Sequence, residues 1–284
     1  MKNENAGIII ESYEIEKFRK YLFENERADA TISKYLNAIT AIKEKYHGEE
    51  LNREKLILYR RKLLETHKAQ TVNGIFTALN AFFEFLGRPD MRIRLIRVQN
   101  RAFIDENKEL NEEEYKRLLN AARESGNERL YMILMTLCST GIRVSELKFI
   151  TVEAVKRRSA EIYLKGKTRS VLLPQKLCSK LWEYSKRKRI TSGEVFITRN
   201  GKSIDRSNIC HAMKKLCPIA GIDDKKVFPH NLRHLFARMF YSVEKNIAHL
   251  ADVLGHSRIE TTRIYLAVST SAHERTLNKM KLII

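Results

Sequence analysis

Apolar side chains recur at three- and four-residue spacing through most of this chain, and few residues interrupt the pattern. The run Tyr13, Ile15, Phe18 and Leu22 is typical, and this spacing places its members on one face of an α-helix. Glycine occurs 11 times and proline 4 times in 284 residues, so few positions break a helix. The chain is therefore predicted to fold as a mainly helical protein.

The helical pattern is interrupted once over a long stretch, which predicts two domains and a linker. Residues 1–90 are expected to form a compact domain of four or five helices. Four of these helices are predicted near residues 13–22, 30–46, 56–64 and 72–86. Residues 91–108 lack the pattern and carry several arginines, so we interpret them as a basic linker. Residues 109–284 resume the helical pattern.

A small sheet is predicted within residues 109–284. Two strand-like runs, residues 160–164 and 170–173, flank the basic tip Lys165-Gly166-Lys167-Thr168-Arg169. This arrangement is typical of a tight β-hairpin. A further strand is expected at Val195-Phe196-Ile197. The second domain is therefore predicted to be mainly α with a small antiparallel β-sheet.

The charge balance indicates a polyanionic partner. Lys and Arg number 53 against 34 Asp and Glu, a formal net charge of +19. Such an excess favours nucleic acid, with an anionic membrane surface as the weaker alternative. No apolar stretch approaches the ~20 residues of a membrane-spanning helix, and the N-terminus lacks the apolar core of a signal peptide. We therefore expect a cytoplasmic protein with no membrane partner.

One predicted helix carries side chains suited to a phosphate. His230, Arg233 and His234 lie three and four residues apart, so they share a helix face opposite an apolar stripe. A guanidinium beside an imidazole offers a paired donor and a proton carrier to an anion. Taken alone, the same pattern is also typical of a solvated basic face.

A metal site is the sharpest competing interpretation of these residues. His230 and His234 have the i, i+4 spacing of paired helix ligands, and His256 offers a third nitrogen. However, no glutamate lies between the first two histidines, and Arg233 would repel a cation. Two-metal nuclease chemistry is less favoured still, because it needs converging carboxylates.

Two further segments carry candidate polar residues. Ser257-Arg258-Ile259-Glu260 fits the capping-box pattern, which predicts a helix that begins just after His256 and carries Tyr265 about two turns in. Thr140-Gly141-Ile142-Arg143 places an arginine just after a glycine turn. Considered singly, Tyr265 is typical of a packed aromatic residue and Arg143 of a surface arginine.

Taken together and in order, these segments resemble the tyrosine recombinase family, also called the phage integrase family, in its short Xer-like form. The likeness covers essentially the whole chain. Arg143 matches the first arginine of TG-x-R-x-S-E-L, His230 and Arg233 match H-x-x-R, His256 matches the histidine of L-G-H, and Tyr265 matches the nucleophile nine residues later.

The family's lysine belongs on the hairpin, whose tip here is about one residue shorter than the usual form. Lys165 keeps the K-G pair and is favoured, and Lys167 is the alternative. The resemblance implies a catalytic set without a cofactor or metal ion, made up of Arg143, Lys165, His230, Arg233, His256 and Tyr265.

The resemblance also implies the roles of these residues. Tyr265 would attack a DNA phosphate and form a 3′-phosphotyrosine while Arg143 and Arg233 hold the phosphate oxygens. His230 would accept the phenol proton, His256 would donate to the phosphate or place the tyrosine, and the lysine would protonate the leaving 5′ oxygen.

The implied architecture is a SAM-like helical core-binding domain in residues 1–90 and a catalytic domain in residues 109–284, which together clamp double-stranded DNA. Four protomers would act on two DNA sites through a Holliday junction, with exchange of a C-terminal helix near residues 271–284. Integration, excision, inversion and resolution all stay open. The alternatives are a type IB topoisomerase-like enzyme and a catalytically silent DNA-binding regulator.

Overall fold

The protein divides into two compact units, Met1–Asn100 and Arg101–Ile284. The structure is a computed structural model that describes residues 7–98, 103–104, 106–164, 167–266 and 268–269. Within those residues, no helix has both the length and the apolar character needed to cross a membrane.

The first unit is a bundle of amphipathic helices, as the sequence pattern predicts. Its four helices are α1 Ser12–Glu24, α2 Asp29–Lys45, α3 Arg53–Thr66 and α4 Ala69–Phe85. Their apolar faces meet in one core, in which Phe18 of α1 packs edge-on against Phe82 of α4 with ring centroids 5.2 Å apart. Asn52 caps α3 by accepting the Lys55 backbone N–H at 2.9 Å, which fixes where that helix begins.

Part of the segment expected to act as a linker is attached to the first unit. Met91 and Ile93 are buried in its core. The Asn80 amide both donates to the Ile93 carbonyl at 2.8 Å and accepts the Ile93 N–H at 2.9 Å. Asn73, two helical turns earlier on α4, pairs with the Ile96 backbone in the same way. Two side-chain amides therefore replace the backbone partners that this extended segment lacks.

The second unit is also mainly helical and is built around one buried helix. Its helices are α5 Glu112–Glu124, α6 Glu128–Thr140, α7 Val152–Arg157, α8 Gln175–Arg187, α9 Arg206–Ala220, α10 Pro229–Glu244, α11 Ile247–Leu254 and α12 Ile259–Arg263. Helix α6 contacts α5, α8, α9 and α10, and its Ile133, Leu134 and Leu137 are almost completely buried. The helices that carry the candidate site pack on this core.

Two small sheets complete the described part of the second unit. Strands β2 Ser159–Leu164 and β3 Lys167–Leu172 form the predicted antiparallel hairpin, but its turn is shorter than expected, since Lys167, Thr168 and Arg169 pair within β3 instead of forming the tip. Strands β1 Phe103–Ile104 and β4 Val268–Ser269 pair in parallel. The strand predicted at Val195-Phe196-Ile197 is wrong: Val195 and Phe196 are buried in the helical core, and Ile197 makes only an isolated bridge to Ser203.

Candidate functional site

Helix α10 presents the first group of candidate residues. Pro229 occupies its first turn. Backbone N–H groups in this turn have no acceptor within the helix, so the N–H that proline lacks costs no hydrogen bond. Arg233 is only 1% exposed, so the alternative of a solvated basic face is wrong for this residue. The sequence pattern did not reveal the burial, because the end of α11 and the turn that carries Tyr265 pack on this part of α10.

The Arg233 guanidinium joins three segments that are distant in sequence. Its Nη1 donates to the Gly141 carbonyl at 2.5 Å, at the end of α6. Its Nη2 donates to the Leu254 carbonyl at 2.8 Å, at the end of α11, and lies 2.9 Å from His256 Nε2. The guanidinium also interacts with the Tyr265 hydroxyl. Its buried Nε has no hydrogen-bond partner among the described residues.

A second arginine lies at the mouth of the site and is held by a buried carboxylate. The Arg143 side chain is 41% exposed, and its Nη1 lies 3.0 Å from Glu146 Oε1. Glu146 Oε2 accepts the Arg143 backbone N–H at 2.8 Å and Arg169 Nη2 at 2.7 Å. Because one carboxylate serves two guanidinium groups here and Arg233 adds a third, the site keeps a net positive charge that suits an anion.

Arg169 fastens the hairpin to the loop that precedes His256. It lies on β3, and its Nη1 donates to the Val253 carbonyl at 2.6 Å. The guanidinium crosses directly over Gly255, where a Cβ would lie 2.3 Å from Arg169 Cδ. Gly255 also has a φ of +68°, a conformation that other residues adopt only with strain. Glycine is therefore required at this position for two independent reasons.

The replacement Gly255→Ala should destabilise the second unit more than a matched glycine replacement. Gly221 ends α9 with a φ of +60° and has no atom within 4 Å of its would-be Cβ. Gly221→Ala should lower the free energy of unfolding by about 1–2 kcal/mol through backbone strain alone. Gly255→Ala should lose a further ~1–3 kcal/mol because Arg169 must move. Urea unfolding of both variants tests this, and equal losses would contradict it.

Tyr265 lies among three imidazole rings. The residue is 4% exposed. The His256 ring stacks on its ring at 5.7 Å between centroids, and the His230 ring lies 6.1 Å away. The His234 ring meets it edge-on at 4.7 Å. The structure therefore brings the phenol, two predicted histidines and Arg233 into one cluster.

The chain around Tyr265 differs from the sequence expectation. Helix α12 spans Ile259–Arg263, and its N-cap residue Arg258 makes no capping hydrogen bond. The predicted capping box does not form, and Tyr265 lies in a 3₁₀ turn just after α12. His256 is instead oriented by its Nδ1, which lies 2.9 Å from the Thr262 hydroxyl. Since Thr262 is completely buried, this partner fixes the imidazole plane.

Both predicted histidines next to Tyr265 are neutral at pH 7. Burial lowers the pKa of His230 to about 4, and the neighbouring His234, Arg233 and Arg143 lower it in the same direction. Burial likewise lowers the pKa of His256 to about 4, aided by Arg233 and Arg143. A neutral imidazole can accept a proton from a reacting group.

Of the two hairpin lysines, Lys165, the favoured residue, lies outside the described residues. Lys167 is described only through its backbone, which pairs with Leu164 as the first residue of β3.

A cavity of about 670 Å³ opens beside the cluster. Its lining includes Arg143, Glu146, Thr168, Arg169, Ser257 and His256. Within the parts of the chain that the structure describes, no three His, Cys, Asp or Glu side chains are grouped so as to hold a metal ion. The shape and charge of the cavity suit a phosphodiester bound between Arg143 and His256.

Two residues of this site were not selected from the sequence. Glu146 follows Arg143 by three residues within the matched segment. An acidic residue at that spacing from a candidate arginine is the signal that could have identified it as an ion-pair partner. Arg169 belongs to the basic run that was expected to form the hairpin tip, but nothing in the sequence indicates that it reaches Glu146 and Val253.

Comparison with known proteins agrees with the motif resemblance. Residues 108–272, more than half of the chain, match the model of the phage integrase family. Tyrosine recombinase XerA of Pyrococcus furiosus is 26% identical over 277 residues, which cover 95% of this chain and 94% of that protein.

Two solved structures share the fold. One is the XerH site-specific recombinase bound to palindromic difH substrate in a post-cleavage complex. Its TM-score is 0.70 at 18% identity, and the match covers 96% of this chain and 84% of the XerH chain. The other is a lambda integrase tetramer bound to a Holliday junction. Its TM-score is 0.71 at 16% identity, and the match covers 89% of this chain and 76% of the lambda integrase chain. The chain therefore belongs to the phage integrase family and is a tyrosine recombinase of the Xer type.

Proposed function

We propose that this enzyme cleaves and rejoins double-stranded DNA at specific sites through a 3′-phosphotyrosine on Tyr265. The observation that carries the proposal is the cluster itself: a phenol interacts with a buried guanidinium and lies beside two neutral imidazoles. Such a cluster has a nucleophile, a proton acceptor and fixed positive charge in one place.

The arginines supply the charge that a phosphoryl transfer needs. The Tyr265 oxygen forms a bond to phosphorus as the bond from phosphorus to the 5′ oxygen breaks, so negative charge builds on the nonbridging oxygens. Arg143 and Arg233 donate to those oxygens. The buried Arg233 Nε has no hydrogen-bond partner among the described residues. Since the phosphotyrosine conserves the bond energy, rejoining needs no nucleotide cofactor.

Protons must leave the phenol and reach the departing oxygen. We assign acceptance of the phenol proton to His230, because its ring lies 6.1 Å from the Tyr265 ring between centroids and is neutral at pH 7, although its lowered pKa makes it a weaker base than an ordinary imidazole. Of the two roles that the resemblance implies for His256, the contacts favour orienting the phenol, because the ring stacks on Tyr265 while its Nε2 accepts from Arg233 and its Nδ1 faces Thr262. We assign protonation of the 5′ oxygen to Lys165, with Lys167 as the alternative.

The wider architecture follows the family. Residues 1–90 are proposed as the core-binding domain and residues 109–284 as the catalytic domain, joined through residues 91–108. The net charge of +19 supports contacts to many DNA phosphates. Four copies would act together on two DNA sites through a Holliday junction. The lambda integrase tetramer, which shares the fold, is bound to such a junction.

The predicted exchange helix, residues 271–284, lies outside the described residues. The enzyme would act in the cytoplasm.

The proposal is tested with nicked suicide duplexes made from the DNA that flanks the protein's own gene. Incubated in EDTA, the enzyme should form a covalent adduct through the 3′ side of the break, and adding a 5′-hydroxyl strand should release a joined product. Relaxation of supercoiled plasmid without strand exchange would favour the topoisomerase alternative. The absence of any adduct from a duplex that the protein binds would contradict the proposal.

The lowered pKa values of the two histidines predict an unusual pH profile. The adduct-forming rate at limiting DNA should change by less than about twofold between pH 7.5 and 5.5, because both rings stay neutral until pH approaches 4. An imidazole with an ordinary pKa of about 6.5 would instead lose roughly tenfold between pH 7.5 and 5.5. Rapid-quench single-turnover assays give the profile, and a midpoint near 6.5 would contradict the assignment.

The same lowered pKa values make the stability of the fold depend on pH. Between pH 6.5 and 4 the unfolded chain binds protons at these histidines that the folded chain does not, so the free energy of unfolding falls as pH falls. Circular dichroism at each pH therefore accompanies the rate assay, and only rates from folded enzyme count.

A further inference from the structure

A carboxylate at the start of the second unit is bonded to a histidine that touches Tyr265. His234 Nδ1 lies 3.0 Å from Glu109 Oε1 and 3.2 Å from Oε2. The two side chains are 15% and 16% exposed. The His234 ring meets the Tyr265 ring edge-on, with centroids 4.7 Å apart. Neither Glu109 nor His234 has a role in the chemistry proposed above.

Glu109 is itself held firmly. Arg238, one turn after His234 on α10, forms an ion pair with the same carboxylate, and its Nη2 donates to the Leu110 carbonyl at 2.6 Å. Burial acts to raise the pKa of Glu109, but the hydrogen bonds and charges of His234 and Arg238 outweigh it and hold the pKa below its ordinary value. The carboxylate is therefore ionised at neutral pH and accepts from both partners.

This arrangement determines how the imidazole faces the phenol. An ionised carboxylate can only accept a hydrogen bond, so Nδ1 of His234 carries the proton. The bond fixes both the tautomer and the rotation of the ring. His256 stacks on the Tyr265 ring and is fixed by Thr262. The His234 edge thus supplies a second oriented contact to the same ring.

We propose that Glu109 and His234 are positioning residues for the nucleophile: the carboxylate orients the imidazole, and the imidazole edge holds the Tyr265 ring in place for attack. The inference rests on the proposed role of Tyr265 as nucleophile. It goes beyond that role, because it assigns part of the alignment to a residue 125 positions earlier in the chain than His234. Small displacements of a reacting group lower rates strongly.

The first test replaces Glu109 and compares it with a matched ion pair. In Glu109→Gln the neutral amide binds the imidazole less firmly, and the adduct-forming rate at saturating DNA should fall about 10-fold, with a larger loss in Glu109→Ala. Glu114 pairs with Lys226 at 2.8 Å, with side-chain exposures of 11% and 17%. Glu114→Gln removes a charge of similar burial from the same unit, and its rate should stay within about twofold of the unmodified enzyme.

Paired replacements of His234 separate its two contacts. His234→Asn keeps an N–H for Glu109 but loses the ring edge, whereas His234→Phe keeps an aromatic edge but loses the hydrogen bond. Both should lower the rate without changing the affinity for the duplex, measured by fluorescence anisotropy. Full rates in both variants would overturn the proposal, as would equal losses in Glu109→Gln and Glu114→Gln. If Tyr265→Phe still forms the adduct, the proposed function fails instead, so the two failures are distinguishable.

Discussion

The replacement Tyr265→Phe should abolish formation of the covalent protein–DNA adduct while leaving the fold and DNA binding intact. Phenylalanine keeps the ring that packs against His256 and His234 and removes only the hydroxyl. Without a nucleophile, no arrangement of the arginines can transfer the phosphate to protein, so the single-turnover rate should fall by about 10³-fold or more. Denaturing gel electrophoresis of a labelled suicide duplex measures the loss.

The matched control for this replacement is another tyrosine with a buried ring. Tyr184 lies in the core of the second unit and is 2% exposed. Tyr184→Phe should form the adduct at a rate within about twofold of the unmodified enzyme. An adduct that survives Tyr265→Phe with comparable yield would show that another residue is the nucleophile.

The replacement Arg233→Lys should have the next largest effect, even though it keeps the charge. The guanidinium donates in two directions, to the Gly141 carbonyl at 2.5 Å and the Leu254 carbonyl at 2.8 Å. A lysine ammonium on a flexible stem cannot reproduce that planar fork. The cleavage rate should fall by about 10²–10³-fold, as for loss of one fixed donor to a developing oxyanion.

Arg233→Lys should also reduce stability, since buried carbonyls lose their donors, by about 1–3 kcal/mol in the free energy of unfolding. Arg117 is the control: its Nε donates to the Ala220 carbonyl at 3.0 Å, away from the cluster. Arg117→Lys should keep the cleavage rate within about twofold. If Arg233→Lys cleaves as fast as Arg117→Lys, the buried guanidinium does not stabilise the transition state.

The fold was predictable from the sequence where local spacing decided it. Helices α1 to α4 follow from amphipathic runs, and the hairpin follows from two strand-like runs around a basic tip. The run at residues 195–197 has the same apolar character but is buried against helices instead of pairing as a strand. Spacing alone does not distinguish these two environments.

The site was predictable as a set of residues but not as a set of contacts. Motif order selected Arg143, His230, Arg233, His256 and Tyr265, and the structure brings their segments together. The burial of Arg233 depends on the end of α11, at Leu254, and on the Tyr265 turn, both of which follow it by more than 20 residues. The Glu146–Arg169 ion pair joins residues 23 positions apart in the chain. The spacing of apolar residues within one helix or strand does not predict contacts at that separation. The roles of these residues, and of Lys165, stay predictions.

The central claim is that the Tyr265 hydroxyl becomes linked to DNA without a metal ion. Digestion of the adduct formed in EDTA, followed by mass spectrometry of the nucleotide-bearing peptide, tests it most directly, because the chain contains 11 tyrosines. The account predicts that the phosphate is attached to the peptide containing Tyr265 through the 3′ end of the cleaved strand. A nucleotide found on any other residue, or attached through its 5′ end, would contradict it.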